Sequence, residues 1–447
     1  MNDRRYVAGV DTSTQSCKVV IVDPATNAVI REGKAPHPDG TAVDPGAWWD
    51  AFLLAQERAG GFDDVVAISV GGQQHGMVCL DEAGRVIRPA LLWNDTRSAQ
   101  AAEDLISELG NGDREVGAAE WAKLTGSVPV ASLTVTKLRW LADNEPENAA
   151  RIAAICLPHD YLTWKIRGTG RLEDLVTDRS DASGTGYMSG SRDEYLPEIL
   201  ARALRRSVSD VQDIILPRIL GPWESAGTGD PARHWDHMIV GPGCGDNAGA
   251  ALGLDLKPGE AMLSLGTSGV AAVVSPHPTA DATGLVTGFS DATGHWLPLA
   301  CTLNASRIID AVARIIGADY KEYDELALSV SDAAGLTLLP YFEGERTPNL
   351  PDATASLSGM TLANSDRAHV ARAGVEGLLN LMRGALDAIR ALGVDIKTVY
   401  MVGGGAKSAA VQQLAGAFLD AHIEMPAAGE YVALGAARQA ARVKDAA

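Results

Sequence analysis

Apolar, β-branched runs alternate with amphipathic stretches along the whole chain, a pattern typical of an α/β protein. Near the start, the pattern predicts strands at Val7–Val10 and Lys18–Val22, joined by a short polar turn. A helix is predicted at Ala47–Ala59 and another strand at Val65–Val70. Short strands joined by tight turns therefore precede the first long helical stretch.

The second half of the chain repeats this opening design. A mostly helical stretch begins at Asp95, and strands separated by glycine turns return near Ile239. Leu263–Leu265, a small turn and Val270–Val274 then reproduce the strand, turn and strand of the N-terminal region. A later strand at Thr398–Val402 leads through three glycines into an amphipathic helix. The repetition predicts two similar halves.

Length, charge and cysteine content narrow the class of protein. The 447 residues exceed one ordinary domain, and we place the boundary between residues 1–252 and 253–447. A net charge of -19 repels nucleic-acid backbones and anionic lipid surfaces, so neither is expected as a partner. The five scattered cysteines form no CxxC pair, and no signal peptide or membrane-spanning run is visible. These features predict a cytoplasmic protein.

Two hydroxyl-rich turns occupy matching places in the two halves. One is Gly9–Thr14 and the other is Leu265–Gly269, each between apolar β-branched strands. Backbone N–H groups and hydroxyls in such turns suit phosphate oxygens, although ordinary β-hairpins have the same composition. Their repetition favours phosphate binding. Asp11 ends the first strand beside its turn, where a carboxylate could hold Mg²⁺ through water or form an Asx-turn.

Two glycine-rich segments each precede a predicted helix. Gly243–Ala250 carries one carboxylate, Asp246, which is placed either to act as a general base toward a hydroxyl or to cap the helix. Val402–Ser408 contains three glycines that would admit a phosphorylated ligand against a helix N-terminus, or simply make a tight turn. It does not have the spacing of a Walker A loop.

Polar and aromatic residues cluster at two presumed strand ends. Gly72–Gly76 and Trp93–Arg97 combine hydrogen-bond donors, acceptors and an aromatic face, which suits a ligand with many hydroxyl groups. Core packing of Trp93 and a purely structural role of His75 are the alternatives. Covalent hydrolase chemistry has no support, because the chain contains no GxSxG elbow.

Two longer segments carry a family resemblance. Ser132–Asn144 fits the first signature of the FGGY carbohydrate kinases, and Ala355–Glu376 fits the second except at Gly374. The chain therefore resembles this family over nearly its whole length. The resemblance implies an α/β fold of two ribonuclease-H-like domains, as in actin-like ATPases, with a cleft between them.

The resemblance also implies roles for individual residues. Asp246 would be the general base, and Asp11 would anchor Mg²⁺. The other implied contacts are Gln74, His75, Trp93 and Asn247 with the sugar; Thr12, Ser13 and Thr14 with phosphates; Gly266 and Thr267 with the transferring phosphoryl group; and Gly404, Gly405 and Ser408 with adenosine.

The implied activity is an ATP- and Mg²⁺-dependent phosphorylation of a sugar. The segments around Gln74, Trp93 and Asp246 are most similar to family members that phosphorylate D-xylulose to D-xylulose 5-phosphate, although many of these have Met at the position of Gln74. Kinases for L-ribulose, glycerol or another polyol are alternatives within the family, and a non-catalytic, actin-like ATP-binding switch is an alternative outside it. The family's tendency to dimerise makes a homodimer an expectation.

Overall fold

The computed structural model describes residues 5–446, which form two large sheets and four two-stranded sheets, with helices around them. The strands are β1 (Tyr6–Thr12), β2 (Ser16–Asp23), β3 (Ala28–Pro36), β4 (Ala42–Val43), β5 (Val65–Gly72), β6 (Val78–Leu80), β7 (Ala90–Leu91), β8 (Ala154–Cys156), β9 (Val176–Asp178), β10 (Arg218–Leu220), β11 (Gly227–Thr228), β12 (Ile239–Val240), β13 (Cys244–Gly245), β14 (Glu260–Leu265), β15 (Gly269–Val273), β16 (Val286–Ser290), β17 (Trp296–Thr302), β18 (Thr337–Leu339), β19 (Ser356–Ser358), β20 (Thr398–Val402) and β21 (His422–Glu424). The helices are α1 (Pro45–Arg58), α2 (Ala99–Leu109), α3 (Arg114–Thr125), α4 (Thr134–Asn144), α5 (Pro146–Ala150), α6 (Pro158–Arg167), α7 (Arg179–Ala182), α8 (Pro197–Leu204), α9 (Val208–Val211), α10 (Asp246–Gly253), α11 (Ser306–Ile316), α12 (Tyr320–Leu328), α13 (Arg367–Arg390), α14 (Ala409–Phe418) and α15 (Tyr431–Ala446).

The two large sheets share one topology. In the first, β3, β2 and β1 form an antiparallel meander, and β5 and β12 follow parallel to β1. In the second, β17, β15 and β14 form the meander, and β20 and β21 follow parallel to β14. The repetition predicted from the sequence is thus confirmed, together with the α/β class.

Local sequence explains where the elements begin. Helix α1 starts two residues before the predicted Ala47 because the Asp44 carboxylate accepts a hydrogen bond from the Gly46 N–H at 2.8 Å. Pro45 then fits the first helical turn, where no N–H is needed. The helical stretch predicted from Asp95 is interrupted by the short strands β8 to β11, whose apolar runs are too short to distinguish from buried helix by pattern.

The last helix, α15, packs on the first sheet although it follows the second sheet in the chain. A Cβ atom at Gly9 of β1 would lie 1.9 Å from the Ala433 carbonyl oxygen and 2.6 Å from the Ala437 nitrogen. The fully buried Gln439 of α15 accepts from the Ser69 hydroxyl at 2.5 Å and bonds the Gly243 backbone in both directions, at 3.1 and 2.9 Å. The last helix in the sequence therefore packs on the first sheet, and no single boundary in the sequence separates the contacts of the two halves.

The departure at Gly374 from the family signature has a steric reason. Gly374 lies in α13, and a Cβ atom there would be 2.5 Å from the Tyr323 hydroxyl oxygen of α12. Tyr323 is completely buried, so its ring has little freedom to retreat. The glycine thus makes room for tyrosine between two packed helices, away from the strand ends.

The thiols and helices of the described residues add two observations. Cys17, Cys79, Cys156 and Cys244 are buried and Cys301 is half-buried, and all five are unpaired. Within residues 5–446, no helix is both long and apolar enough to cross a membrane.

Candidate active site

Strand register in the first sheet brings the two predicted carboxylates to one edge. Strand β5 pairs in parallel with β1 on one side and with β13 on the other, so that Asp11 and Cys244 both lie opposite Gly71. Because parallel strands present their carboxyl ends together, Asp11 and Asp246 emerge at the same edge as the segment after β5, which contains Gln74.

The second sheet places its two glycine turns side by side in the same way. Ser264 of β14 lies opposite Val402 of β20 in a parallel pair. Gly403 then turns with φ +94°, and a Cβ atom there would lie 2.8 Å from the Leu265 backbone. The turn that begins at Gly266 is held by hydrogen bonds from the Ser306 N–H to the Gly266 carbonyl and from the Ala305 N–H to the Thr267 carbonyl.

Two cavities meet at these edges. The first, of about 670 Å³, lies between the halves and is lined by Asp11, Asp246, Ser264 and Gly403 among others. The second, of about 530 Å³, is lined by Ser306, Ile309, Asp310, Tyr320, Lys321, Asp324, Gly404, Gly405, Lys407 and Ser408. Gly404 and Lys407 belong to both walls, so the cavities adjoin.

Asp246 is the first residue of α10 and does not cap it. Gly245 occupies the N-cap position, and Asp246 Oδ1 accepts hydrogen bonds from the backbone N–H and the side-chain amide of Asn247, at 2.7 and 2.9 Å. The cap interpretation of Asp246 is therefore wrong. Burial raises the pKa of Asp246 to about 6, which keeps the carboxylate ionised near neutral pH yet basic enough to accept a proton.

Asp11 has the features of a metal-binding carboxylate. Its buried Oδ1 has no hydrogen-bond partner, and neither has the buried hydroxyl of Thr12 beside it, so the Asx-turn interpretation is wrong. Burial, followed by the negative charges of Asp246 and Glu430, raises the pKa of Asp11 to about 7. A cation between the carboxylates would remove this repulsion.

The surroundings of Asp11 fit a metal ion that binds through few protein ligands. Among residues 5–446, no group of three His, Cys, Asp or Glu side chains could hold a metal ion by itself. Mg²⁺ commonly takes one or two carboxylates and completes its octahedron with waters and substrate phosphates. The site of Asp11 and Thr12 therefore suits an ion that arrives with a polyphosphate.

The side chains predicted to bind the sugar form a linked set. The Asn247 amide donates to Gln74 Oε1 at 3.1 Å, and Gln74 Nε2 donates to the Ser180 carbonyl at 3.5 Å. The His75 ring is buried and its Nδ1 donates to the Gly184 carbonyl at 2.8 Å. Burial, with the positive charge of Lys137 next in importance, lowers the pKa of His75 to about 3. Its Nε2 is consequently a neutral acceptor.

His75 is strained as well as buried. It has φ +70°, a left-handed conformation that is unusual for a residue with a side chain. The Thr134 hydroxyl of the first family signature donates to the His75 carbonyl at 3.0 Å, which supports this conformation. Such strain persists where the surroundings fix it, and it is concentrated in functional sites.

Trp93 lies at the surface of the site, not in the core. Its side chain is 47% exposed, and its indole N–H donates to the Thr14 hydroxyl at 2.8 Å. The core-packing interpretation is therefore wrong. Trp93 joins the segment after β7 to the first hydroxyl turn, where the Ser13 hydroxyl donates to the Ser16 carbonyl at 3.0 Å.

In the second half, the predicted ligand-binding hydroxyls differ: that of Thr267 is free and that of Ser408 is hydrogen-bonded. Thr267 is exposed, and its side chain makes no hydrogen bond with the described residues. Ser408 instead caps α14 by accepting from the Val411 N–H at 3.2 Å, while its own hydroxyl donates to Asp324 at 2.5 Å. Ser408 thus shapes the smaller cavity through Asp324 and α14.

Sequence reasoning missed the segment that supports the sugar residues. The Ser180 hydroxyl accepts from the Gly245 N–H at 3.0 Å, immediately before Asp246, and Gly184 holds His75. Behind them, the buried His159 imidazole lies 2.7 Å from Asp181. The chain separation of these partners leaves no local pattern, and only the run of small residues at 180–186 was a usable signal.

Comparison with known proteins gives a consistent result across the chain. Residues 6–253 match the N-terminal domain of the FGGY family of carbohydrate kinases, and residues 261–443 match its C-terminal domain. A xylulose kinase from Streptomyces coelicolor is 45% identical over 444 residues, which cover 97% of this chain and 87% of that protein. One from Streptomyces rubiginosus is 44% identical with the same coverage.

Solved structures agree with the sequence comparison. The crystal structure of xylulose kinase from Bifidobacterium adolescentis superimposes with a TM-score of 0.95 at 52% sequence identity. The match covers 99% of this chain and 94% of that one. The similarity therefore includes both sheets and the cleft between them.

Proposed function

This chain belongs to the FGGY family of carbohydrate kinases, and we propose that it transfers the γ-phosphoryl group of ATP to D-xylulose, giving D-xylulose 5-phosphate and ADP. Sugar kinases of this family use ATP. The observation that carries the proposal is the shared edge of the first sheet, where Asp246 faces the same cavity as the glycine turn at Gly403. The proposed base and the proposed nucleotide turn thus line one cleft.

The sugar is bound by a preorganised acceptor and donor set. His75 Nε2 accepts from one sugar hydroxyl, and the amides of Gln74 and Asn247 are fixed to each other before the sugar arrives. Trp93 offers its exposed ring to the apolar face of the sugar. Because these groups are already ordered, little side-chain entropy is lost when the sugar binds.

Asp246 orients and deprotonates the accepting hydroxyl. As the sugar oxygen forms its bond to the γ-phosphorus, the bond from that phosphorus to the β-phosphate oxygen breaks, and ADP leaves with the electron pair. The hydroxyl proton passes to Asp246, whose pKa of about 6 suits a base at neutral pH. Positioning and charge stabilisation supply most of the rate enhancement in such a transfer.

The nucleotide lies along the two adjoining cavities. Gly404 and Gly405 allow adenosine to approach the backbone, with Ser408 and Asp324 forming one wall. Gly266 and Thr267 face the transferring phosphoryl group, and Thr12, Ser13 and Thr14 approach the phosphates from the first half. Asp11 and Thr12 would hold Mg²⁺. The bound ion would neutralise phosphate charge and fix the geometry of the phosphate oxygens.

An ADP-release assay with a sugar panel tests the proposal. With ATP and Mg²⁺, D-xylulose should give the highest kcat/KM among xylulose, ribulose, glycerol and other polyols. Asp246→Asn should lower sugar-dependent ADP release by about 10³-fold or more, because the base is lost while ATP binding remains.

Asp255→Asn is the matched control for Asp246→Asn. Asp255 follows the same helix, is half exposed, and has φ +61°, which asparagine tolerates well. Near-normal turnover of Asp246→Asn would contradict the proposed mechanism. A higher kcat/KM for glycerol or ribulose would reassign the substrate, and ATP turnover indifferent to every sugar would favour the non-catalytic switch.

A further inference from the structure

One arginine of the second half has a guanidinium without a partner among the described residues. Arg346 lies in the loop between β18 and β19 and is half-buried. Its guanidinium makes no hydrogen bond or ion pair within residues 5–446, whereas its backbone N–H donates to the neighbouring Glu345 at 2.7 Å. A half-buried arginine normally satisfies several of its five donors, so this guanidinium is available to an anion.

The backbone of Arg346 is held firmly by its neighbours. Glu345 is 1% exposed, and its carboxylate accepts from the Leu303 N–H at 2.6 Å and from the Asn304 amide at 3.0 Å. On the other side, the Thr347 hydroxyl donates to the Cys301 carbonyl at 2.8 Å. Arg346 is therefore fixed against the end of β17 and the segment that follows it.

That segment is itself bonded to the second hydroxyl turn. The Gly269 N–H donates to the Thr302 hydroxyl at 3.1 Å, and the Ala305 N–H donates to the Thr267 carbonyl at 3.1 Å. The segment from Cys301 to Ala305 thus bonds on one side to the loop that carries Arg346 and on the other to the turn that we assign to the transferring phosphoryl group. Because these hydrogen bonds fix the backbone of Arg346, they also restrict the positions that its guanidinium can occupy.

The charge of Arg346 acts on one group in each half near the candidate site. Its positive charge contributes to the lowered pKa of His75, and it opposes the burial that raises the pKa of the Cys301 thiol. The negative charge of Asp246 also acts on Cys301. Arg346 therefore lies within electrostatic range of His75, which is predicted to bind the sugar, and of Cys301, on which Asp246 also acts.

The charge balance of the cleft explains why a cation is needed there. Asp11, Asp246 and Glu430 are all acidic and line the larger cavity, into which ATP brings further negative charge. Lys18 is already paired with Glu430 at 2.5 Å, and Lys407, which also lines this cavity, supplies one positive charge against three carboxylates. We propose that Arg346 is a further catalytic residue, which donates hydrogen bonds to the γ-phosphoryl oxygens during transfer. This inference rests on the kinase function proposed above.

Steady-state kinetics of Arg346→Gln, Arg346→Lys and the control Lys397→Gln test the inference. Lys397 precedes β20 at the opposite end of the second sheet and is 73% exposed, so its loss changes charge without touching the cleft. We expect kcat of Arg346→Gln to fall by about 100-fold or more, because arginines on transferring phosphoryl groups have large effects. The KM for xylulose should change less than about threefold, since that contact is made in the transition state.

A second readout does not depend on turnover. ADP with aluminium fluoride mimics the phosphoryl group in transfer, and Arg346→Gln should bind it at least about tenfold more weakly than wild type, with ADP affinity unchanged. Added guanidinium should partly restore turnover to Arg346→Gln. The kcat of Arg346→Lys should lie between those of wild type and Arg346→Gln, because lysine keeps the charge but loses the planar donor set.

Several outcomes would overturn the assignment. They are a kcat of Arg346→Gln within threefold of wild type, an effect confined to the KM for xylulose, and a fall in thermal stability that accounts for the loss and is shared by Arg346→Lys. Failure of the kinase function itself is a separate result, because it shows as wild-type turnover that no sugar stimulates. In that case the affinity for ADP with aluminium fluoride still decides whether Arg346 binds a phosphoryl group.

Discussion

The two hydroxyl turns occupy equivalent places in two sheets of the same topology, yet they differ in charge and in support. The penultimate residue of the strand before the turn is Asp11 in β1 and Ser264 in β14, and both line the larger cavity. Repetition of the fold has therefore placed a carboxylate on one wall of the cleft and a hydroxyl on the other.

The two turns also differ in the contacts that hold them in place. The first turn is braced by side chains, because the His37 ring bonds the Ser13 carbonyl at 2.8 Å and the Trp93 indole bonds Thr14. The second is held by backbone hydrogen bonds to Gly266 and Thr267 and by the Thr302 hydroxyl at Gly269, which leaves the Thr267 side chain exposed and free. A rigid charged turn suits metal and phosphate positioning, whereas a free hydroxyl suits a group that changes position during transfer.

The largest expected effect comes from removing the charge that distinguishes the first turn. Asp11→Asn should lower kcat by about 10³-fold and raise the Mg²⁺ concentration needed for half-maximal rate, because a neutral amide is a poor ligand for this ion. Ser264→Ala is the matched control at the equivalent strand position and should change kcat by less than about fivefold. Equal losses in the two variants, measured by ADP release across a Mg²⁺ titration, would contradict the asymmetry.

A smaller effect is expected from the free hydroxyl of the second turn. Thr267→Ala should lower kcat by about 10- to 100-fold, since a hydrogen bond to a charged group contributes about 1.5–3 kcal/mol. The KM for xylulose should stay near the wild-type value, and the neighbouring Ser268→Ala should be nearly silent. If Thr267→Ala altered only the sugar KM in steady-state assays, its assignment to the phosphoryl group would be wrong.

The smallest expected effect is a pH dependence confined to the first half. Burial raises the pKa of Asp246 to about 6, and this residue must be ionised to accept a proton. At Mg²⁺ concentrations that hold Asp11 ionised against its raised pKa, the value of kcat/KM for xylulose should therefore be level above the pKa of Asp246 and fall about tenfold per unit below it. ADP affinity, measured by calorimetry over the same range, should not follow this curve. A parallel loss of ADP affinity would mean that both halves titrate.

Local patterns were sufficient for the repeated design and for Asp246. Both turns were visible because hydroxyl-rich sequences between β-branched strands recur at matching places, and Asp246 stood alone among glycines before a helix. The topology then followed from repetition, since parallel strands bring their carboxyl ends to one edge. The fold class could therefore be predicted before any contact was known, and the family was indicated by its resemblance at Ser132–Asn144 and Ala355–Glu376.

Contacts between distant parts of the chain could not be predicted in this way. Ser180 and Gly184 hold the residues around Asp246 and His75 through hydrogen bonds across roughly a quarter of the sequence or less, and neither belongs to a recognisable local motif. Arg346 lies in a loop whose position depends on Glu345 and Thr347 bonding to β17 and its extension. Likewise, no local pattern indicated the contact of Ser408 with Asp324.

The position of α15 has a consequence for synthesis of the protein on the ribosome. The sheet that is translated first contains Val7, Val20, Val22 and Ala67, whose apolar cluster is completed by Ala433, Ala437 and Ala440. Gln439 also fixes Gly243, three residues before Asp246. A nascent chain therefore leaves this face of the first sheet uncovered until residues 433–440 have left the exit tunnel, and Asp246, the proposed base, acquires this support only then. Truncated products of interrupted translation would expose that sheet to proteases and chaperones.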